Sequence, residues 1–163
     1  MLLLPMLSWL MAAPAPLPAW AETQWKTAGL ERTFARTAYL KSDLLQADFN
    51  GDGKTDVALT VTRRQTGSRG LLILHQGQPA AHVIGTGSAK DPDILRADLE
   101  WADYWQLYAK PSTVETLFGK NGDVAGSRNV RLLRPTIEVG QDELGGGMIY
   151  WDGRKYIWIH QTC

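Results

Sequence analysis

The stretch Asp48-Phe49-Asn50-Gly51-Asp52-Gly53-Lys54-Thr55-Asp56-Val57-Ala58-Leu59-Thr60-Val61-Thr62 decides how this chain is read. Its first nine residues set side-chain oxygens at positions 1, 3, 5 and 9 and glycines at 4 and 6, which is the opening of a calcium loop. Calcium takes six to eight oxygens at about 2.3–2.6 Å in flexible geometry. A chain that curls around such an ion turns alternate side chains inward, so Asp48, Asn50 and Asp52 are expected to converge on one point. The Lys54 carbonyl then supplies the seventh position, and Asp56 the ninth, directly or through water. Gly53 allows the sharp turn with φ > 0. Three carboxylates against a divalent ion leave about one excess negative charge, and without the ion they repel one another. An EF-hand is excluded, because its twelfth residue is a bidentate Glu and here it is Leu59. The β-branched run Val57–Thr62 reads as a strand rather than an exiting helix, which makes the arrangement strand, loop, strand. Lacking the twelfth ligand, the loop is expected to bind calcium with a dissociation constant on the order of 10⁻⁴–10⁻³ M.

Asp48 to Val61, taken with Gly70-Leu71-Leu72-Ile73-Leu74, resembles one repeat of the FG-GAP type, also called VCBS. In that pattern a DxNxDGxxD loop joins two strands of a β-propeller blade and a third strand follows. The chain carries one such loop, whereas a propeller needs about four to eight blades, so length excludes a full propeller. The chain is also similar to small bacterial exported proteins with a single loop of this kind near the N-terminus and an aromatic hairpin at the C-terminus. That resemblance implies export and no particular activity.

Residues 1–21 read as a secretory signal peptide, with residues 22–163 forming a single β-rich domain. Leu2 to Met11 is an apolar core too short to span a bilayer, and Ala19-Trp20-Ala21 is a small-x-small cleavage pattern. One departure is the lack of Lys or Arg before the apolar run. The expected location is therefore periplasmic or secreted, with no membrane-spanning segment after cleavage. Charge is balanced at 17 basic and 17 acidic side chains, which offers no clustered basic face for nucleic acid. The one cysteine, Cys163, excludes an internal disulfide and leaves a bound ion as the local staple.

Along the rest of the chain the expectation is a mainly β fold (β-rich α+β): an antiparallel sheet with one short N-terminal helix and a C-terminal β-hairpin. Leu30, Phe34 and Ala38 recur at four-residue spacing and predict a helix within residues 26–41. Leu44–Ala47 leads as a strand into the loop, and further strands are expected at 70–74, 81–84, 114–118, 130–133 and 136–139. Trp101, Tyr104, Trp105 and Tyr108 fit helical spacing, yet alternation and aromatic content favour a strand whose rings pack the core rather than stack on sugars. Gly145-Gly146-Gly147 predicts a loop, and Asp152-Gly153 a two-residue hairpin turn between strands 148–151 and 155–160.

No zinc-ligand spacing links His75, His82 and His160, and no base lies near Cys163 in sequence, so catalysis is not expected. The sequence thus predicts a non-enzymatic exported protein with one calcium site (Asp48, Asn50, Asp52, Lys54 and Asp56) that binds an envelope protein or a glycan. The alternative is a periplasmic hydrolase using surface carboxylates such as Asp98, Glu100, Asp103, Glu138, Asp142 and Glu143.

Overall fold

The computed structural model describes residues 14–88 and 90–162. Among these residues eleven strands and two short helices form a five-stranded sheet, a four-stranded sheet and a two-stranded hairpin, a mainly β architecture as the sequence predicts. The first sheet is built on β3 (Asp56–Arg63), which pairs with β4 (Arg69–Leu74) on one side. Its other side carries two short strands end to end: β1 (Phe34–Arg36) against Val61–Arg63 and β2 (Leu44–Ala47) against Asp56–Leu59. β5 (Ala81–Gly85) completes this sheet beside β4. The second sheet has the order β11 (Tyr156–Gln161), β10 (Gly145–Trp151), β9 (Thr136–Gln141), β6 (Tyr104–Tyr108), all antiparallel. β7 (Ser112–Phe118) and β8 (Val124–Arg131) form a separate hairpin.

The run Val57-Ala58-Leu59-Thr60-Val61 does not alternate polar and apolar because both faces of β3 are covered. Ala58, Leu71 and Ile73 face the second sheet and meet Trp105, Ile137, Val139 and Ile149. Val57, Leu59, Val61, Leu72 and Leu74 face the other way, onto Trp25 and Ala21 of helix α1 (Ala19–Thr27). A third cluster of Leu132, Met148, Tyr150 and Ile159 covers the far side of the second sheet.

Several expectations are corrected. The helix expected within 26–41 is displaced: α1 ends at Thr27, Gly29 takes φ 63°, and α2 (Leu30–Thr33) lasts one turn. Phe34–Arg36 then pairs with β3 as a strand, and Phe34 is buried to 4% exposure. Only Val130 and Arg131 of the strand expected at 130–133 belong to β8, which runs back to Val124 through residues that are almost all exposed and so show no apolar period; Leu132 and Leu133 lie beyond its end. The C-terminal hairpin is present, but four residues separate Trp151 from Tyr156, because the Asp152 carboxylate accepts the N–H groups of Arg154 and Lys155 and shapes a wider turn. The expected leader lies outside the described residues up to 13. Beyond that, α1 runs across the Ala21–Glu22 position, and Ala21 is fully buried.

Gly145-Gly146-Gly147 is not a loop but the start of β10. A Cβ on Gly146 would strike the Val139 carbonyl and lie 2.6 Å from the Gly140 Cα, both backbone atoms that cannot yield. Bare glycine is what lets β9 and β10 close at this point. Gly146→Ala is expected to cost about 2–3 kcal/mol through forced separation of the strands, read as a lowered midpoint in urea denaturation. A change under about 0.5 kcal/mol would show that the strands part freely there.

Candidate functional site: an acidic loop at the seam of the two sheets

The loop 48–55 joins β2 to β3, and its curl is written in hydrogen bonds from backbone to side chain. The N–H groups of Gly51 and Asp52 donate to Asp48 Oδ1 at 2.7 and 3.0 Å, and that of Gly53 to Oδ2 at 2.8 Å. Asn50 Oδ1 accepts the Asp52 N–H at 2.9 Å, Asp52 Oδ1 accepts the Lys54 N–H at 2.9 Å, and Asn50 Nδ2 lies 3.3 Å from Asp52 Oδ2. These are successive Asx turns, the local conformation that Asp and Asn favour because a short side chain can satisfy amides two residues on. Gly51 and Gly53 take φ 78° and 84°, as the curl requires.

Asp56 behaves differently from the other acids. It is fully buried beneath the loop. Its Oδ2 accepts the N–H groups of Phe49 at 2.9 Å and Asn50 at 3.3 Å, and its Oδ1 accepts that of Gln76 at 2.9 Å, just beyond β4. The carboxylate therefore ties the start of the loop to the end of a neighbouring strand. Burial raises its pKa, opposed by the amides of Gln76, Asn50 and Phe49. Asp52 is fully exposed, and its pKa is lowered chiefly by the Lys54 amide.

The loop also touches the second sheet. Arg134 lies against Gly51, whose Cβ, if present, would sit 3.0 Å from the guanidinium Nε, while Nη1 donates to the Trp151 carbonyl at 2.7 Å. His75 follows β4 directly and shares a 2.7 Å hydrogen bond through Nε2 with the Tyr156 hydroxyl of β11. His75 and His82 pack with ring centroids 4.6 Å apart, and Trp151 lies edge-on, 5.0 Å from each. His75 Nδ1 and His82 Nε2 are enclosed without a partner. Burial lowers the pKa of His75, opposed by the Gln78 side chain and the charges of Asp52 and Asp48. His82 is pushed down to about 4 by burial and then by His75.

For the residues expected to hold an ion, the donor chemistry suits calcium: hard oxygens, with no nitrogen or sulfur. A carboxylate has about four lone-pair sites, and the three amides on Asp48, like the three on Asp56, leave capacity on each. Asp48, Asn50 and Asp52 share one curl, with Asp56 beneath it. Among the described residues, no three Asp, Glu, His or Cys side chains are gathered closely enough to hold a metal. Sequence reasoning missed Arg134, His75, His82, Trp151 and Tyr156, because His75 and Tyr156 stand 81 positions apart and no local pattern joins them.

Comparison of the chain with protein-family models, with curated proteins and with solved structures finds no match. Among the described residues no helix is long and apolar enough to cross a membrane.

Proposed function

We propose that this chain is an exported β domain stabilised by calcium, which acts by binding an envelope protein or a glycan and not by catalysis. The observation that carries this reading is the position of the preformed acidic curl. Asp56 ties it to Gln76 at the end of β4, and Arg134, which donates to the Trp151 carbonyl of β10, packs against it at Gly51, so an ion held there by Asp48, Asn50, Asp52, the Lys54 carbonyl and Asp56 would stiffen the loop where the two sheets meet. The FG-GAP resemblance supports the same reading through the loop residues. Arg134 beside Gly51 and Lys54 within the loop offset part of the carboxylate charge, in keeping with an affinity on the order of 10⁻⁴–10⁻³ M rather than the tighter values of sensor loops.

Thermal melts test it. With 1 mM free calcium and a dissociation constant near 0.1 mM, binding adds roughly 1.4 kcal/mol, a midpoint rise of about 3–6 °C over chelated protein for a domain of this size. Asp52→Ala, on a fully exposed side chain, is expected to remove the rise while leaving the chelated protein's midpoint nearly unchanged. Equal midpoints with calcium and with chelator would sink the reading and leave the loop as a connector held by its own hydrogen bonds. A pull-down of envelope proteins in calcium, with Asp52→Ala as control, tests the binding role.

A further inference from the structure

We propose that the corner between Trp101 and Trp158 is a binding site for a neutral saccharide ring, an inference that rests on the binding-domain reading above and gives it a ligand class. The two indoles stand at 87° to each other with centroids 6.3 Å apart. Both line a cleft of about 240 Å³, together with Ile94, Gln141, Leu144, Gly145, Gly146 and His160. Leu144 is 73% exposed and extends the apolar surface outward.

The Trp158 wall is held in place before any ligand arrives. Its ring lies on Gly147, where a Cβ would come within 2.5 Å of it, so the missing side chain is what admits the indole. Its Nε1–H donates to His160 Nδ1 at 3.2 Å, and Phe118 meets the His160 ring edge-on at 4.7 Å from the neighbouring hairpin. A ligand stacking on a ring already fixed on several sides loses little further conformational freedom.

The lining contains no Asp, Glu, Lys or Arg side chain, so it offers no fixed charge to hold an ion. What it offers is flat aromatic surface with polar groups that donate and accept: the Gln141 amide, the His160 imidazole and the glycine backbone. A pyranose ring has the matching chemistry, an apolar C–H face bordered by hydroxyls that also donate and accept. The volume falls below the roughly 300–1,000 Å³ of drug-sized sites, which suits one ring and not an extended peptide laid along a groove.

The experiment uses the full chain in 1 mM calcium, titrated with glucose, N-acetylglucosamine, cellobiose and chitobiose while the indole N–H resonances are followed by NMR. The expected result is a saturable shift of the Trp101 and Trp158 resonances with at least one sugar. That binding should weaken about tenfold or more in Trp158→Ala and several-fold in Gln141→Ala, with Leu107→Ala, exposed on β6, as an unchanged control. If Trp158→Ala fails to fold, Gln141→Ala and Leu144→Ser carry the comparison. No saturable shift with any of the four sugars overturns the proposal. So does a shift that survives every cleft variant, and so does saturation by a decaproline peptide in place of the sugars. A silent sugar titration in a protein whose midpoint still rises with calcium defeats this site alone. A sugar response in a protein whose midpoint is the same in calcium and in chelator defeats the calcium reading alone.

Discussion

Asp56→Ala is expected to lower stability by about 3–5 kcal/mol when measured by urea denaturation in chelator, so that no ion contributes. The carboxylate is fully buried and is the acceptor for three backbone N–H groups, those of Phe49, Asn50 and Gln76. Each buried donor left without an acceptor costs about 1–3 kcal/mol. Removing the acid also relieves the desolvation that raises its pKa, which returns part of that loss and keeps the total below the sum of three orphaned donors. Against a typical stability of about 5–15 kcal/mol, the change is large. Asp56→Asn is the informative companion. Its single carbonyl oxygen still accepts on one side, but its amide nitrogen turns a donor toward another donor, so an intermediate loss of about 1–2 kcal/mol is expected. An alanine variant within about 1 kcal/mol of the parent would mean that the three amides find water, and that Asp56 is not the anchor of the loop.

How far the sequence reveals this site follows from where the deciding interactions lie. Asp48, Asn50 and Asp52 are legible because an Asx turn is a local event, closed within two to five residues. β3 and β4 are legible because burial on both faces leaves an unbroken apolar run. What Asp56 turns toward is not legible: position 9 of the motif is the same whether its oxygens face an ion or the amide of Gln76, which arrives from another strand. The three glycines read as a break because local propensity disfavours them in strands, while here tertiary closeness demands them, first of Val139 to Gly146 and then of Trp158 to Gly147. β8 was hidden for the opposite reason. Its residues are exposed on nearly every position, so no face carries a period to read.

The largest pH effect is expected below neutrality and is assigned to the paired histidines. His82 lies in β5, opposite Ile73, with its Nε2 enclosed and unpartnered. The groups around it are His75, Trp151 and Tyr156. Its pKa is about 4 in the folded chain against 6.5 for an ordinary histidine. The depressed value means that the native state favours the neutral ring. Stability from this group is fully present above about pH 6.5, is lost as pH falls toward 4, and levels off below that. The gap corresponds to about 3 kcal/mol at most, and partial solvent access to the ring reduces it to about 2. Asp56 works in the opposite sense. Its raised pKa means that protonation favours the folded state, so stability recovers slightly as pH falls through that value. The two effects are separated by difference: in chelator, urea midpoints from pH 7.5 to 4 for the parent and for His82→Gln should diverge, the parent losing about 2 kcal/mol more. Parallel curves would place the acid sensitivity elsewhere. A steeper curve for His82→Gln than for the parent would mean that His82 gains its charge inside the folded protein without penalty, against the enclosure of its ring.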